Sequence, residues 1–234
     1  MHPFKVVVLT LFPELFPGAL GCSVLGRARV NGLWSMEVIN IKDFGIGRHK
    51  TVDDTPFGGG SGMVMRPDVL GDALDFAQRN NPYDILYMSP RGERFCQQHA
   101  RELAIKDGVI IICARFEGVD ERLINEYNVR EVSIGDFIIT GGELAAQTLV
   151  DATLRLIPGV IANATSLDEE SFNEIGGNTL LEYPIYTKPR EWRGRGVPEV
   201  LLSGHHANIA QWRMDQAYRL TLARRPDLLG GAKN

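Results

Sequence analysis

Ser133-Ile-Gly-Asp-Phe-Ile-Ile-Thr-Gly-Gly-Glu143 says most about the fold, together with Cys113-Ala-Arg-Phe-Glu-Gly-Val-Asp-Glu-Arg122. Each block continues a short apolar run, Val129 to Ile134 or Val109 to Cys113, and then enters small or glycine residues. Two strand ends would therefore present main-chain groups side by side. This pattern is typical of a protein that binds a small ligand through its backbone.

Short apolar runs alternate with helical patterns over the first two thirds of the chain. Because the runs are continuous rather than alternating, they indicate an α/β domain around a buried parallel sheet. Ligands of such sheets bind at the carboxyl ends of the strands. The predicted strands are Phe4 to Leu9, Met36 to Ile41, Ile85 to Met88, Val109 to Cys113 and Val129 to Ile134. The predicted helices are Glu14 to Leu20, Ser23 to Asn31, Pro67 to Arg79, Phe95 to Lys106, Val119 to Glu126 and Gly142 to Leu156.

The periodicity is lost from Gly159 to Gly177, which is rich in Asn, Thr, Ser and Glu. We therefore predict a domain over residues 1–160, a flexible linker over 161–177 and a small, mainly helical domain over 178–234. A helix is predicted in this last domain from about His205 to Arg224, because Pro226 would end it. Trp212 and Arg219 share a face of that helix, where they could stack on a nucleotide, although a partly buried tryptophan is the commoner explanation of the pattern.

The three cysteines lie far apart at Cys22, Cys96 and Cys113, without the paired spacing of a zinc or redox site. Neither a metal site nor a disulfide is predicted, and the thiols indicate a reducing compartment. The N-terminal residues run directly into a strand-like pattern without the features of a signal peptide. A cytoplasmic protein without membrane association is therefore expected.

The net charge of −4 is unevenly distributed. Beyond Ile185 there are nine Lys and Arg against four Asp and Glu, whereas the preceding part has 16 against 25. A basic C-terminal part attached to an acidic body indicates contact with a polyanion. A solvated basic helix face would give the same pattern.

The chain contains several glycine-rich loops. Phe57-Gly-Gly-Gly-Ser-Gly-Met63 lacks the Lys-Ser/Thr of a P-loop and the spacing of a dinucleotide fingerprint, so it is either a multiple turn or, with Arg48-His-Lys-Thr-Val-Asp-Asp54, a grip on a phosphate backbone. Met88-Ser-Pro-Arg-Gly92 forms a third loop beside the two opening blocks. Together these three loops would enclose an adenine-sized ligand and satisfy its polar edge with main-chain groups.

These blocks, with Pro56-Phe-Gly-Gly-Gly60 and Leu201-Leu-Ser-Gly-His-His-Ala207, resemble the TrmD family of bacterial tRNA (guanine-N1)-methyltransferases, in the SPOUT class, from Phe4 to about Leu229. The resemblance implies a parallel sheet with a C-terminal deep trefoil knot, an exception to the rule that connections do not thread loops. It also implies S-adenosylmethionine as cofactor, magnesium dependence, and a homodimer whose active sites are each shared between subunits. The implied partner is tRNA with guanosine at position 37, rather than DNA.

The resemblance also assigns binding residues. Those implied for S-adenosylmethionine are Ser89, Pro90, Gly92, Ala114, Glu117, Ser133, Ile134, Gly135, Asp136, Phe137, Ile138, Ile139, Gly141 and Gly142. Those implied for tRNA are Arg48, His49, Gly58, Gly59, Gly60, Lys188, Arg190, Arg213 and Arg219, with Arg193 and Arg195 in the same basic region.

Methylation of guanine N1 requires removal of its proton and stabilisation of negative charge on O6. By resemblance, Arg155 stabilises the charge and a carboxylate before Ser171-Phe172 is the general base. This chain has Glu170 where the family has aspartate, and we assign the base to Glu170 with Asp168 as the fallback. Ala114 also departs from the family, which has glycine there; the added methyl is tolerable unless the position needs a positive φ.

Two other functions stay open on the sequence. The chain could be a module that binds RNA or an adenine nucleotide without chemistry, or a SPOUT methyltransferase acting on a different RNA. The linker is expected to be mobile in the free protein and to order on tRNA binding.

Overall fold

The computed structural model describes residues 2–163, 167 and 169–230 of the chain. The chain divides into two compact units, residues 1–162 and 163–234. Each unit has its own elements of secondary structure.

The first unit alternates strands and helices in chain order. Short 3₁₀ turns occur at Pro13–Leu15, Gly18–Gly21 and Ile41–Phe44. The elements are β1 (Phe4–Thr10), α1 (Ser23–Val30), β2 (Trp34–Asn40), β3 (Asp53–Asp54), β4 (Val64–Met65), α2 (Pro67–Gln78), β5 (Ile85–Arg94), α3 (Gln97–Ala104), β6 (Gly108–Ile112), α4 (Glu121–Glu126), β7 (Arg130–Ser133) and α5 (Glu143–Leu154).

Five strands form one parallel sheet in the order β2-β1-β6-β5-β7. The chain thus places β1, β6 and β5 in the centre, flanked on both sides. The predicted α/β class with a buried parallel sheet is confirmed.

Both faces of the sheet are covered by helices, which explains the continuous apolar runs. Val6 and Val8 of β1 point to a core that includes Leu149 of α5. Val7 and Leu9 point to the opposite core, which includes Leu70 of α2. Because successive strand residues alternate between faces, a strand buried on both sides needs an apolar residue at every position.

One predicted helix, Glu14 to Leu20, is wrong. The segment instead forms two 3₁₀ turns, separated at Phe16 and Pro17. Pro17 has no backbone N–H and disfavours a helical conformation in the residue before it. The following Gly18 has a φ of +55°, which is also incompatible with a continuing helix.

The second unit contains two small hairpins and a long helix. Its elements are β8 (Asn173–Ile175), β9 (Asn178–Leu180), β10 (Glu191–Trp192), β11 (Arg195–Gly196), α6 (Glu199–Leu202), α7 (His206–Arg224) and a 3₁₀ turn at Pro226–Leu228. The β8–β9 hairpin begins inside the range 161–177 predicted as a linker, so this part of the range has regular structure.

On α7, Trp212 is half-buried and its ring lies 6.2 Å from that of Tyr186, whereas Arg219 is exposed. Among the residues with described positions, no helix is long and apolar enough to cross a bilayer.

Candidate active site

A cavity of about 260 Å³ opens at the carboxyl ends of β5, β6 and β7. Its walls are a bulge inside β5 and the loops that follow β6 and β7, at the three places where the sequence predicts ligand-binding loops. The lining includes Tyr87, Met88, Ser89, Pro90, Ala114, Arg115, Phe116, Glu117, Gly118, Val132, Ser133, Ile134, Gly135, Phe137, Ile138, Ile139, Thr140, Gly141, Gly142 and Ala145.

The first wall is a bulge within β5. Met88 pairs with Val132 of β7, and Glu93 pairs with the same residue, so residues 89–92 leave the ladder and stand out from the sheet. Gly92 closes this bulge against β7, where a Cβ would lie 2.3 Å from the backbone nitrogen of Val132. Only glycine therefore fits at position 92. On the outer side, Arg91 pairs with Glu131 at 3.0 Å.

The second wall is the loop between β7 and α5. The Ser133 hydroxyl accepts a hydrogen bond from the Gly135 amide at 3.2 Å, and Gly135 has a φ of +149°. Further along, the amides of residues 138–141 make no hydrogen bond within the described part of the chain. A ligand in the cavity can therefore accept from main-chain donors that the fold leaves available.

The third wall is the loop that follows β6 and includes Arg115. A buried acid holds it to the second wall. Glu143, the first residue of α5, is 1% exposed and accepts from the Thr10 hydroxyl at 3.0 Å and from Arg115 Nε at 3.2 Å. Its other oxygen lies 3.0 Å from Arg115 Nη2, an ion-pair distance that lacks hydrogen-bond geometry. Arg115 Nη1 also donates to the Thr140 carbonyl at 3.1 Å. These contacts join β1 and two of the cavity loops.

Arg115 leaves no space for a side chain on its neighbour. A Cβ at Gly141 would lie 2.3 Å from Arg115 Nε. At the next position, a Cβ at Gly142 would lie 2.9 Å from the Cα of Cys113. Each of the two consecutive glycines is therefore required by a close neighbour of its own. Burial raises the pKa of the Cys113 thiol, which stays protonated.

A second cavity, of about 530 Å³, adjoins the first and shares Arg115 and Phe116 with it. The guanidinium of Arg115 lies 4.4 Å from the ring centroid of Phe12, and the Lys42 ammonium lies 5.5 Å from the same centroid. His49 and Lys50 also line this second cavity. Asp53 lines it as well, Lys50 is paired with Asp43 at 3.0 Å, and Arg115 is paired with Glu143.

The predicted glycine loop joins β3 to β4 and reaches the same region. Gly58, Gly59 and Gly60 have positive φ values and are exposed. At the end of the loop, a Cβ at Gly62 would lie 2.4 Å from a carboxylate oxygen of Glu117, and the Glu117 amide donates to the Met63 carbonyl at 2.9 Å. The loop is therefore anchored to the wall of the first cavity.

The structure brings together all the residues predicted for the cofactor, except two, around the first cavity. Gly92 shapes the bulge without lining the cavity, and Asp136 is exposed away from it. Ala114 is not in the left-handed region, so its methyl group brings no backbone strain. Arg115 and Thr140 were missed; the Arg115–Glu143 pair, 28 positions apart, gives no local sequence signal.

The predicted catalytic residues lie in different units. Arg155 follows α5 in the first unit and is half-buried. Glu170 lies in the second unit and lines a cavity of about 200 Å³. The fallback base Asp168 lies outside the described residues.

Among the residues predicted for tRNA, most are exposed cations or glycines. Arg48, Lys188 and Arg219 are exposed, and Arg190 forms a surface ion pair with Glu199 at 3.1 Å. Arg213 differs, because it is half-buried and pairs with an acidic residue of its own unit.

Within residues 2–163, 167 and 169–230, no three His, Cys, Asp or Glu side chains come together as ligands for a metal ion. The described side chains therefore do not form a magnesium site on their own. The magnesium requirement stays a prediction from the resemblance.

A parallel sheet with a backbone-lined cavity at its carboxyl edge is typical of α/β proteins that bind a nucleoside-like cofactor. Residues 4–231 match the model of the family described as tRNA (Guanine-1)-methyltransferase TrmD. The chain therefore belongs to the TrmD family of tRNA methyltransferases, which confirms the resemblance.

Curated relatives agree with this assignment. The tRNA (guanine-N(1)-)-methyltransferase of Mesorhizobium japonicum is 57% identical over 230 residues, covering 97% of each chain. The protein of that name from Ruegeria sp. (strain TM1040) is 54% identical over 227 residues, covering 96% of this chain and 91% of the relative. The one from Roseobacter denitrificans is 56% identical, covering 94% and 91%.

Proposed function

We propose that this enzyme transfers the methyl group of S-adenosylmethionine to N1 of guanosine 37 in cytoplasmic tRNA, next to the anticodon. Membership of the TrmD family supports the reaction. The single structural observation that carries it is the backbone-lined cavity, whose amides at residues 138–141 are available to the polar edge of an adenine. The cofactor supplies an electrophilic methyl group on a sulfonium sulfur.

The chain would supply a base and a cation. Glu170 takes the N1 proton, and the N1 lone pair forms a bond to the methyl carbon while the carbon–sulfur bond breaks. Arg155 stabilises the negative charge that grows on O6 as the proton leaves. Asp168 is the alternative base, since it lies two positions earlier in the same acidic run.

The finer architecture belongs to the same proposal. A deep trefoil knot around the cofactor, a helical tRNA-binding domain and a homodimer with shared active sites follow from the resemblance. In such a dimer Arg155 and Glu170 would act on one guanosine.

Cationic residues of the protein provide a surface that could bind RNA. The second cavity places Lys42 next to the cofactor cavity, where phosphate or an electron-rich base edge would be attracted. Lys50 and Arg115 line the same cavity, each paired with an acidic residue of the chain. Exposed Lys188 and Arg219 provide further cations in the second unit.

Radiolabelled S-adenosylmethionine tests this function directly. Incubated with tRNA transcripts that carry G or A at position 37, the enzyme is expected to label only the G37 transcript. Label on neither transcript would support a binding module without chemistry. Equal label on both would support a methyltransferase that acts elsewhere on the RNA.

The assignment of the base has its own test. Glu170→Gln is expected to lower turnover by at least about 10²-fold, the range of general-base catalysis, with cofactor affinity little changed. If Glu170→Gln stays active while Asp168→Asn does not, the base is Asp168. Calorimetry of S-adenosylmethionine binding provides the affinity.

A further inference from the structure

A clamp formed by Arg213 and Tyr183 holds Glu169, the residue immediately before Glu170. Arg213 Nη1 lies 3.3 and 3.2 Å from the two carboxylate oxygens of Glu169. The Tyr183 hydroxyl donates to the same carboxylate. Arg213 also lies over Tyr183, with its guanidinium carbon 4.8 Å from the ring centroid. Each of the three groups therefore contacts the other two.

The residues after Glu170 are anchored separately. The Ser171 hydroxyl accepts from the Glu182 amide at 3.0 Å, and the Phe172 amide donates to the Leu180 carbonyl at 2.7 Å. Phe172 has a φ of +70°, a conformation that a bulky residue adopts only when its surroundings impose it. Glu170 thus lies between two fixed neighbours.

The clamp, Glu169 and Glu170 border one cavity of the second unit. Glu169, Glu170, Tyr183 and Arg213 line it together with apolar residues that include Met214 of α7. Burial and the hydrogen bond to Glu169 raise the pKa of Tyr183 to about 12, so its hydroxyl stays a donor throughout the physiological range. Because exposed ion pairs contribute little to stability, the Arg213–Glu169 pair, with side chains 40% and 56% exposed, is better explained by placement than by stabilisation.

We infer that Glu169, held by Arg213 and Tyr183, is a positioning residue that fixes the carboxylate of Glu170 for proton removal. This inference rests on the proposed function. It also gives Arg213 a role other than the phosphate contact predicted from its charge.

Tyr183→Phe is the sharpest test, because it removes the hydrogen bond to Glu169 and keeps the ring beneath Arg213. We expect kcat for methylation of the G37 transcript to fall about tenfold, as for a slightly misplaced catalytic group, with KM for tRNA changed less than about twofold. Glu169→Gln, which keeps the shape but loses the charge, should lower kcat in the same sense. The matched control is Tyr186→Phe, since Tyr186 contacts Trp212 instead and should leave kcat unchanged.

Three results would overturn the clamp: an unchanged kcat in Tyr183→Phe, an increased one, or a loss confined to tRNA affinity, which would make the cluster an RNA contact. An inactive parent enzyme would contradict the proposed function itself. If the parent is active and Tyr183→Phe has the same kcat, only the positioning role of Glu169 is contradicted.

Discussion

Glu143 is the buried acid that joins two loops of the first cavity. Replacing it by glutamine keeps its volume, but the new amide donor faces the Arg115 guanidinium, which is itself a donor. We expect Glu143→Gln to lower the free energy of unfolding by about 1–3 kcal/mol, measured by urea denaturation. The matched control is Glu121→Gln, which removes an ion pair to Arg91 whose side chains are 62% and 59% exposed. That change should cost less than about 1 kcal/mol, and equal effects would contradict the role of Glu143.

Tyr183 gives a spectroscopic signature of the clamp. Its pKa is raised from 10.0 to about 12 by burial and then by its hydrogen bond to Glu169. The stability contributed by the protonated hydroxyl is therefore fully present below pH 10 and is lost as the pH rises through 12. A difference titration of tyrosinate absorbance between the parent and Tyr183→Phe should give a midpoint near 12.

Glu169→Gln controls that titration. It removes the carboxylate that accepts from Tyr183 and leaves the burial of the ring. The midpoint should move down toward 10. An unchanged midpoint in Glu169→Gln would contradict the contribution of the bond.

The bulge of β5 shows how a strand can form one wall of a ligand cavity. Gly92 lies where a methyl group would overlap the backbone of β7, so Gly92→Ala must displace the bulge or the strand. We expect S-adenosylmethionine to bind about tenfold more weakly, equivalent to about 1.4 kcal/mol, measured by calorimetry. Gly196→Ala is the control, because nothing lies within 4 Å of its Cβ position. Unchanged affinity in Gly92→Ala would show that the bulge does not shape the cofactor site.

The strands were predictable because each is buried on both faces and so reads as an unbroken apolar run. β1, β2, β6 and β7 begin and end within two residues of their predicted bounds. β5 was predicted to end at Met88, yet it resumes pairing at Glu93 beyond the bulge, a feature without an apolar signature. Where Pro17 and Gly18 interrupt the helical pattern, local backbone chemistry outweighs periodicity.

The turn of the β8–β9 hairpin has a recognisable sequence, although the composition around it favours a loop. Gly176 and Gly177 form its turn, with φ values of +60° and +78°. Two consecutive glycines are typical of a two-residue hairpin turn, which needs positive φ at both central positions. The surrounding Asn, Thr and Glu residues favour a loop, so the range was predicted as a linker.

The loops of the first cavity were predictable from their glycines, whereas the contacts that hold them were not. A Cβ cannot fit at Gly92, Gly141 or Gly142, and the sequence shows this directly as glycine. Arg115 and Glu143 owe their pairing to the meeting of β6 and α5 in space. Nothing in either local sequence identifies the partner.

The uneven charge of the chain predicts how tRNA affinity responds to salt. Each phosphate contact adds about one to the slope of log affinity against log salt concentration. Lys188→Gln and Arg219→Gln should each lower the slope by about that amount, measured by filter binding across a salt series. Arg225→Gln is the control, because Arg225 is paired with Asp227 at 2.6 Å. Slopes that do not differ between the control and the two variants would exclude these cations as contacts.

The Thr10–Glu143 hydrogen bond joins residues 133 positions apart. During synthesis on the ribosome, this contact between the first strand and the cavity walls can therefore form only after the start of the fifth helix has been made. A nascent chain that has not yet exposed Glu143 carries Arg115 without the carboxylate that orients it. A ligand of the first cavity can thus assist folding only late in translation, after most of the sheet has formed.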